Sequence, residues 1–133
     1  SYDFDANRLE PAAPLPEALV PLRERVAAWA GRPASSFVHA LVAEYRPGTP
    51  LGWHRDVPDF EDIVGVSLGS PAVLRLRPWP ATPGQRGGVR KITVAPRSFY
   101  LLSDAAHWDW QHSVAPTQAL RYSVTFRTAR ARR

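Results

Sequence analysis

Between residues 47 and 96 proline and glycine recur so often that no uninterrupted run exceeds seven residues, room only for short elements. Phe37–Tyr45 reads as a strand and Arg46-Pro47-Gly48-Thr49-Pro50 as a turn. Leu51–His54 follows, then a polar loop over 57–62. Ile63–Leu68 and Ala72–Arg77 are short strands parted by Gly69-Ser70-Pro71. Residues 78–88 hold three prolines and three glycines and form an exposed loop. Val89–Val94 and Ser98–Leu102 flank Ala95-Pro96-Arg97 as a hairpin, and Gln111–Val114 and Leu120–Thr128 close the chain. Short strands at a spacing of roughly 8–12 residues predict a β-sandwich or jelly roll. Ahead of them, residues 1–16 form an extended lead-in rich in proline. Residues 17–30 place Leu19, Leu22, Val26 and Trp29 at helical steps and stop at Gly31. The spacing predicts one helix lying over a sheet.

One hundred and thirty-three residues suit a single domain with its own core. The chain has no cysteine, which excludes disulfides, zinc–thiolate sites and iron–sulfur clusters. No apolar run approaches the ~18 residues of a membrane span, and no signal peptide opens the chain. A cytoplasmic protein with no obligate protein partner is the expectation. The absence of methionine and the start at Ser1 read as a processed protein or a piece of a longer one, lacking part of its N-terminus. The net charge of +5 comes from sixteen arginines and one lysine. A basic balance fits a polyanionic partner, although an arginine-, alanine- and proline-rich composition produces the same number.

Two features carry chemistry. In Gly52-Trp53-His54-Arg55-Asp56, His54 and Asp56 stand at i and i+2, which on an extended segment puts both side chains on one face. His112, in Trp110-Gln111-His112-Ser113-Val114, completes two imidazoles and one carboxylate. That set suits non-haem ferrous iron with open coordination positions. A jelly roll gathers the ends of distant strands at one mouth, so His54 and His112 can meet. His107 is a rival for the third place; His39, on the first strand, reads as structural.

The second feature is Arg121-Tyr122-Ser123-Val124-Thr125-Phe126-Arg127. On a strand, Arg121, Ser123, Thr125 and Arg127 share one face and Tyr122, Val124 and Phe126 the other. Either the arginines face water, or they face the interior and require anions, because an unpaired buried charge is costly. A dicarboxylate meets that need, since the guanidinium fork pairs with a carboxylate through two parallel bonds.

In series, Tyr45-Arg46-Pro47-Gly48, His54-Arg55-Asp56, His112 and Arg121–Arg127 resemble the AlkB family of Fe(II)/2-oxoglutarate-dependent dioxygenases, in order and approximate spacing across residues 41–128. The resemblance implies a double-stranded β-helix, which is a jelly roll, and a single catalytic domain over 1–133. It implies iron ligands at His54, Asp56 and His112, with 2-oxoglutarate and dioxygen as co-substrates. Arg121 resembles the arginine that meets the far carboxylate of 2-oxoglutarate, and Arg127 the one near its metal-bound end. Tyr45 resembles the tyrosine that hydrogen-bonds the co-substrate, and Ser123, by its place in the polar row of the strand, is expected to add a hydroxyl to the same site. The chain departs from the family at Ala43 and Ser123, where asparagine is frequent. The implied reaction couples decarboxylation of 2-oxoglutarate to hydroxylation of a C–H bond, and an N-methyl group so oxidised leaves as formaldehyde.

For the substrate, the resemblance implies alkylated nucleic-acid bases, flipped out of the stack to reach the site. Relatives of this kind place an acidic residue two positions after the metal carboxylate, where this chain has Pro58; Asp59 and Asp62 are nearby substitutes. Trp53, Trp108 and Trp110 flank the ligands and offer faces for a flat substrate, or simply pack the core. A methylated protein, a small amine, and a non-catalytic nucleic-acid-binding module are the other readings.

Overall fold

The computed structural model describes residues 15–55, 60–79, 88–103 and 109–130, together with the strand pairing of β1 (Tyr2–Asp3) with β2 (Arg8–Leu9). After a single 3-10 turn at Glu17–Leu19, helix α1 spans Val20–Ala30. Pro21 occupies its first turn, where the missing N–H has no partner to lose. The helix stops at Gly31, whose φ of 70° is left-handed. The Gly31 N–H donates to the Ala28 carbonyl and the Arg32 N–H to that of Ala27, the paired bonds of a Schellman close. Of the four expected core positions, Val26 is fully buried and Leu19 and Leu22 are partly buried. Trp29 is half exposed and lays its ring edge against Phe99.

Eight further strands build two antiparallel sheets: β3 (Phe37–Tyr45), β4 (Leu51–His54), β5 (Phe60–Leu68), β6 (Ala72–Pro78), β7 (Arg90–Val94), β8 (Ser98–Leu102), β9 (Trp110–Val114) and β10 (Arg121–Ala129). One sheet has the order β3-β10-β5-β8 and the other β4-β9-β6-β7. Ala43, Tyr45 and Tyr100 of the first sheet pack with Ala72, Leu74, Val94 and Val114 of the second, so the sheets face each other across a shared core. This is the jelly-roll-like arrangement that the strand spacing predicts. On the back of the first sheet, Val64, Val66, Val124 and Phe126 meet Val26 and Ala27 of α1. Phe37 and Phe126 stand edge to face there, at 6.3 Å between centroids. No helix among the described residues is long and apolar enough to cross a membrane.

One expectation fails. The strands either side of Ala95-Pro96-Arg97 do not form a hairpin: β7 pairs with β6 in the second sheet, and β8 pairs with β5 in the first. The turn is an arch between sheets. Arg97 takes a left-handed φ of 66°, and its N–H donates to the Ser67 carbonyl at 2.6 Å, fastening the arch to the end of β5. Pro96-Arg97 specifies a tight reversal but says nothing about which partner each flanking strand takes. β5 also starts earlier than expected, at Phe60.

Candidate active site

His54 ends β4, and His112 sits mid-way along β9. The two strands are neighbours, and these residues are direct partners in the antiparallel register. Their ring centroids are 4.0 Å apart, with the planes at 62°. The Nδ1–H of His54 donates to the Gly52 carbonyl at 2.9 Å. A carbonyl only accepts, so Nδ1 carries a proton, and in the neutral ring Nε2 then keeps its lone pair for another partner. Asp56 lies outside the described residues, as do Asp59, His107 and Trp108. Among the described residues, no three His, Asp or Glu side chains converge on one point.

The polar row of β10 faces inward. Arg121, Ser123 and Arg127 are all buried, whereas Tyr122 on the opposite face is exposed. Arg121 is 1% exposed, and its Nε donates to the Ser67 hydroxyl at 2.9 Å. Its guanidinium lies over the Tyr45 ring at 4.8 Å. The Nη1 of Arg121 is buried without any hydrogen-bond acceptor. Arg127 donates from Nη1 to the Thr125 hydroxyl at 2.6 Å and packs over Phe60.

Between the sheets lies a cavity of about 440 Å³. His54 and His112 line one wall, from the second sheet; Tyr45, Ser123, Thr125 and Arg127 line the facing wall, from the first. Arg121 does not line the cavity itself but stacks on Tyr45, which does. The fold therefore brings the two histidines and Ser123, Thr125 and Arg127 of β10 to one cavity.

Tyr100 was not singled out by the sequence, yet it lines the same cavity. It pairs with Gly65 across β5 and β8, and its phenol ring lies where any Cβ at position 65 would stand. A glycine inside an otherwise well-formed strand marks such a close approach, which was the available signal. Burial pushes the Tyr100 hydroxyl above its ordinary value of 10.0, while Arg121 beside it acts in the opposite direction.

The tryptophans divide. Trp53 reaches the cavity, and its ring is covered by the guanidiniums of Arg77, at 4.3 Å, and Arg75, at 5.4 Å. Trp110 packs against the cluster of Ile63, Leu76 and Leu102, with Arg90 over its ring. His39 is buried against Phe60.

Residues 1–130 match the model of the 2OG-Fe(II) oxygenase superfamily. The chain belongs to that superfamily. It is thus an oxidoreductase domain of the dioxygenase kind, whose cofactors are Fe(II), 2-oxoglutarate and dioxygen. An uncharacterized protein of Acanthamoeba polyphaga mimivirus is 32% identical over 100 residues, which is 65% of this chain and 46% of the viral protein. The chain thus spans about half the length of that relative. The cavity suits the oxygenase cofactors on chemical grounds. A pair of adjacent imidazoles is a donor set that ferrous iron accepts. A buried guanidinium nitrogen lacking an acceptor is a place for a carboxylate oxygen.

Proposed function

We propose that this domain is an AlkB-like dioxygenase that oxidatively demethylates N-alkylated nucleic-acid bases. The observation that carries the reading is the facing of His54 and His112 on one sheet with Ser123, Thr125 and buried Arg127 on the other, across one cavity, with buried Arg121 stacked on the cavity-lining Tyr45. In this reading His54, His112 and Asp56 hold the iron. Arg121, with Tyr45, holds the far carboxylate of 2-oxoglutarate; Ser123 and Arg127 hold the end nearer the metal.

Iron, 2-oxoglutarate and dioxygen together supply the oxidising power that hydroxylates a C–H bond, and an N-methyl group so treated is lost as formaldehyde. The chain itself supplies placement. Gly52 fixes the His54 tautomer, so that Nε2 is bare on arrival of a metal. Ser67 holds Arg121 from the Nε edge, leaving Nη1 to reach the co-substrate. Leu41, Ile63, Leu74, Leu102 and Val114 make much of the remaining wall apolar, which strengthens each charged contact within it.

Alkylated nucleic acid as the substrate is supported by the basic balance of the chain and by the Trp53–arginine stack beside His54. The test is anaerobic titration with Fe(II) and 2-oxoglutarate, read by the visible charge-transfer band, followed by succinate release on a substrate panel. We expect the band in the wild type and its loss in His54→Ala and Asp56→Ala; an undiminished band in both removes the metal assignment. Succinate release should rise with N-methylated over unmodified oligonucleotide. Release that ignores nucleic acid and answers to a methylated peptide would transfer the domain to protein substrates.

A further inference from the structure

The two sheets differ sharply in charge. The four strands of the β4-β9-β6-β7 sheet carry Arg75, Arg77, Arg90 and Lys91 and not one acidic residue. The opposite sheet carries Glu44, Glu61 and Asp62 alongside its two buried arginines. Arg75 and Lys91 are direct partners across β6 and β7. Like charges so placed repel and weaken a sheet. The ion pairs Arg32–Asp62 and Arg46–Glu44 lie elsewhere, and neither involves Arg75 or Lys91.

The arginines of this face are also oriented. Arg75 and Arg77 lie two residues apart on β6, on the face opposite the buried Leu74 and Leu76. Arg75 donates from Nε to the Ser113 hydroxyl at 3.0 Å, and Arg77 from Nε to the Gln111 side-chain oxygen at 2.8 Å. Both guanidiniums stack on Trp53. Each fork is thus held by its Nε edge and its flat face, which leaves the terminal nitrogens to meet an anion. Trp53 touches both this outer face and the cavity, directly before His54. The outer face and the reactive mouth are continuous through one side chain.

We propose that the outer face of the β4-β9-β6-β7 sheet is a phosphate track, with Arg75, Arg77 and Lys91 gripping the backbone of a single nucleic-acid strand and Trp53 marking where that strand turns into the cavity. Fixed arginine forks suit phosphodiesters, which accept two parallel hydrogen bonds. An anionic bilayer is served as well by unoriented lysines, and this face has a single lysine. The inference rests on the nucleic-acid reading of the substrate and adds the surface that recognises it.

The experiment is fluorescence anisotropy of the full chain with a labelled, unmethylated single-stranded oligonucleotide over a range of salt concentrations. Wild type should bind with a salt-weakened affinity. Lys91→Glu, on an exposed strand edge, should lower affinity by roughly threefold to tenfold at low salt. It should also flatten the log–log salt slope by about 0.7, the single-strand value for one lost phosphate contact. Arg77→Lys keeps the charge but not the fork, and should weaken binding without changing the slope. Arg25→Glu, on the exposed side of α1, should leave affinity as it was. Three outcomes would overturn the track: no binding by the wild type, equal weakening by Arg25→Glu, or preferred binding to phosphatidylserine vesicles. If Lys91→Glu behaves as expected but methylated oligonucleotide gives no succinate, the track stands and the demethylase reading falls. If demethylation proceeds while all variants bind alike, the reverse holds.

Discussion

A fully buried guanidinium, with one nitrogen lacking an acceptor, is an expensive arrangement unless something anionic comes to it. Arg121 is that residue, and its replacement separates recognition from chemistry. Arg121→Ala should raise the KM for 2-oxoglutarate by about tenfold to a hundredfold, the equivalent of one charge-assisted hydrogen bond of roughly 1.5–3 kcal/mol. Arg121→Lys should recover little, because an ammonium cannot reproduce both the Ser67 bond and the fork. Steady-state kinetics decide this, and an unchanged KM would put the far carboxylate elsewhere. Tyr100 offers a second measurement. Its hydroxyl is raised above 10.0, chiefly by burial. Below pH 10 the phenol is neutral in folded and unfolded chains alike. Above it the unfolded chain ionises first, so the stability it contributes falls as pH rises toward the folded value. Chemical denaturation at successive alkaline pH values should show Tyr100→Phe losing less stability than wild type above pH 10.

At the scale of one element, β10 has a core on each side: Val124 and Phe126 against α1, and Ser123, Thr125 and Arg127 against the cavity. Phe126→Ala should cost about 3–5 kcal/mol, as expected for a fully buried ring. Tyr122→Ala, four residues away on the same face but exposed, should cost less than about 1 kcal/mol. Comparable midpoints in a urea melt would show that burial against α1 does not reach Phe126, although the alternation along β10 requires it. That alternation was legible in the sequence because polar and apolar residues alternate without a break from Arg121 to Arg127. Likewise Gly31 announced the end of α1, and the period of Leu19, Leu22 and Val26 its buried side. The β7–β8 arch was not legible, because a proline turn encodes reversal while strand pairing is decided by residues far away, such as Leu74 and Gly65. Tyr100 escaped for a related reason: its importance comes from Gly65, which lies 35 positions earlier in the chain. His54 and His112 were legible as chemical types. Their register, ring against ring, is a product of the β4–β9 pairing alone.

At the scale of the molecule, the histidines belong to one sheet and the inward arginines to the other. A metal with its co-substrate spanning the cavity would tie the halves of the sandwich together. Adding a redox-inert divalent ion with 2-oxoglutarate should therefore raise the melting temperature, the stabilisation reaching about 2.7 kcal/mol at a hundredfold excess over Kd. Chelation should reverse the rise, and Arg121→Ala should lose most of the part due to 2-oxoglutarate; equal shifts in both proteins would refute the bridge. The strand order has a further consequence during synthesis. β10, last of the described strands in chain order, is the one that joins β3 to β5. Until it emerges, those two strands present open edges that invite pairing with other chains. Nascent chains stalled before residue 121 should therefore capture chaperones more than chains stalled after β10 has emerged and docked between β3 and β5.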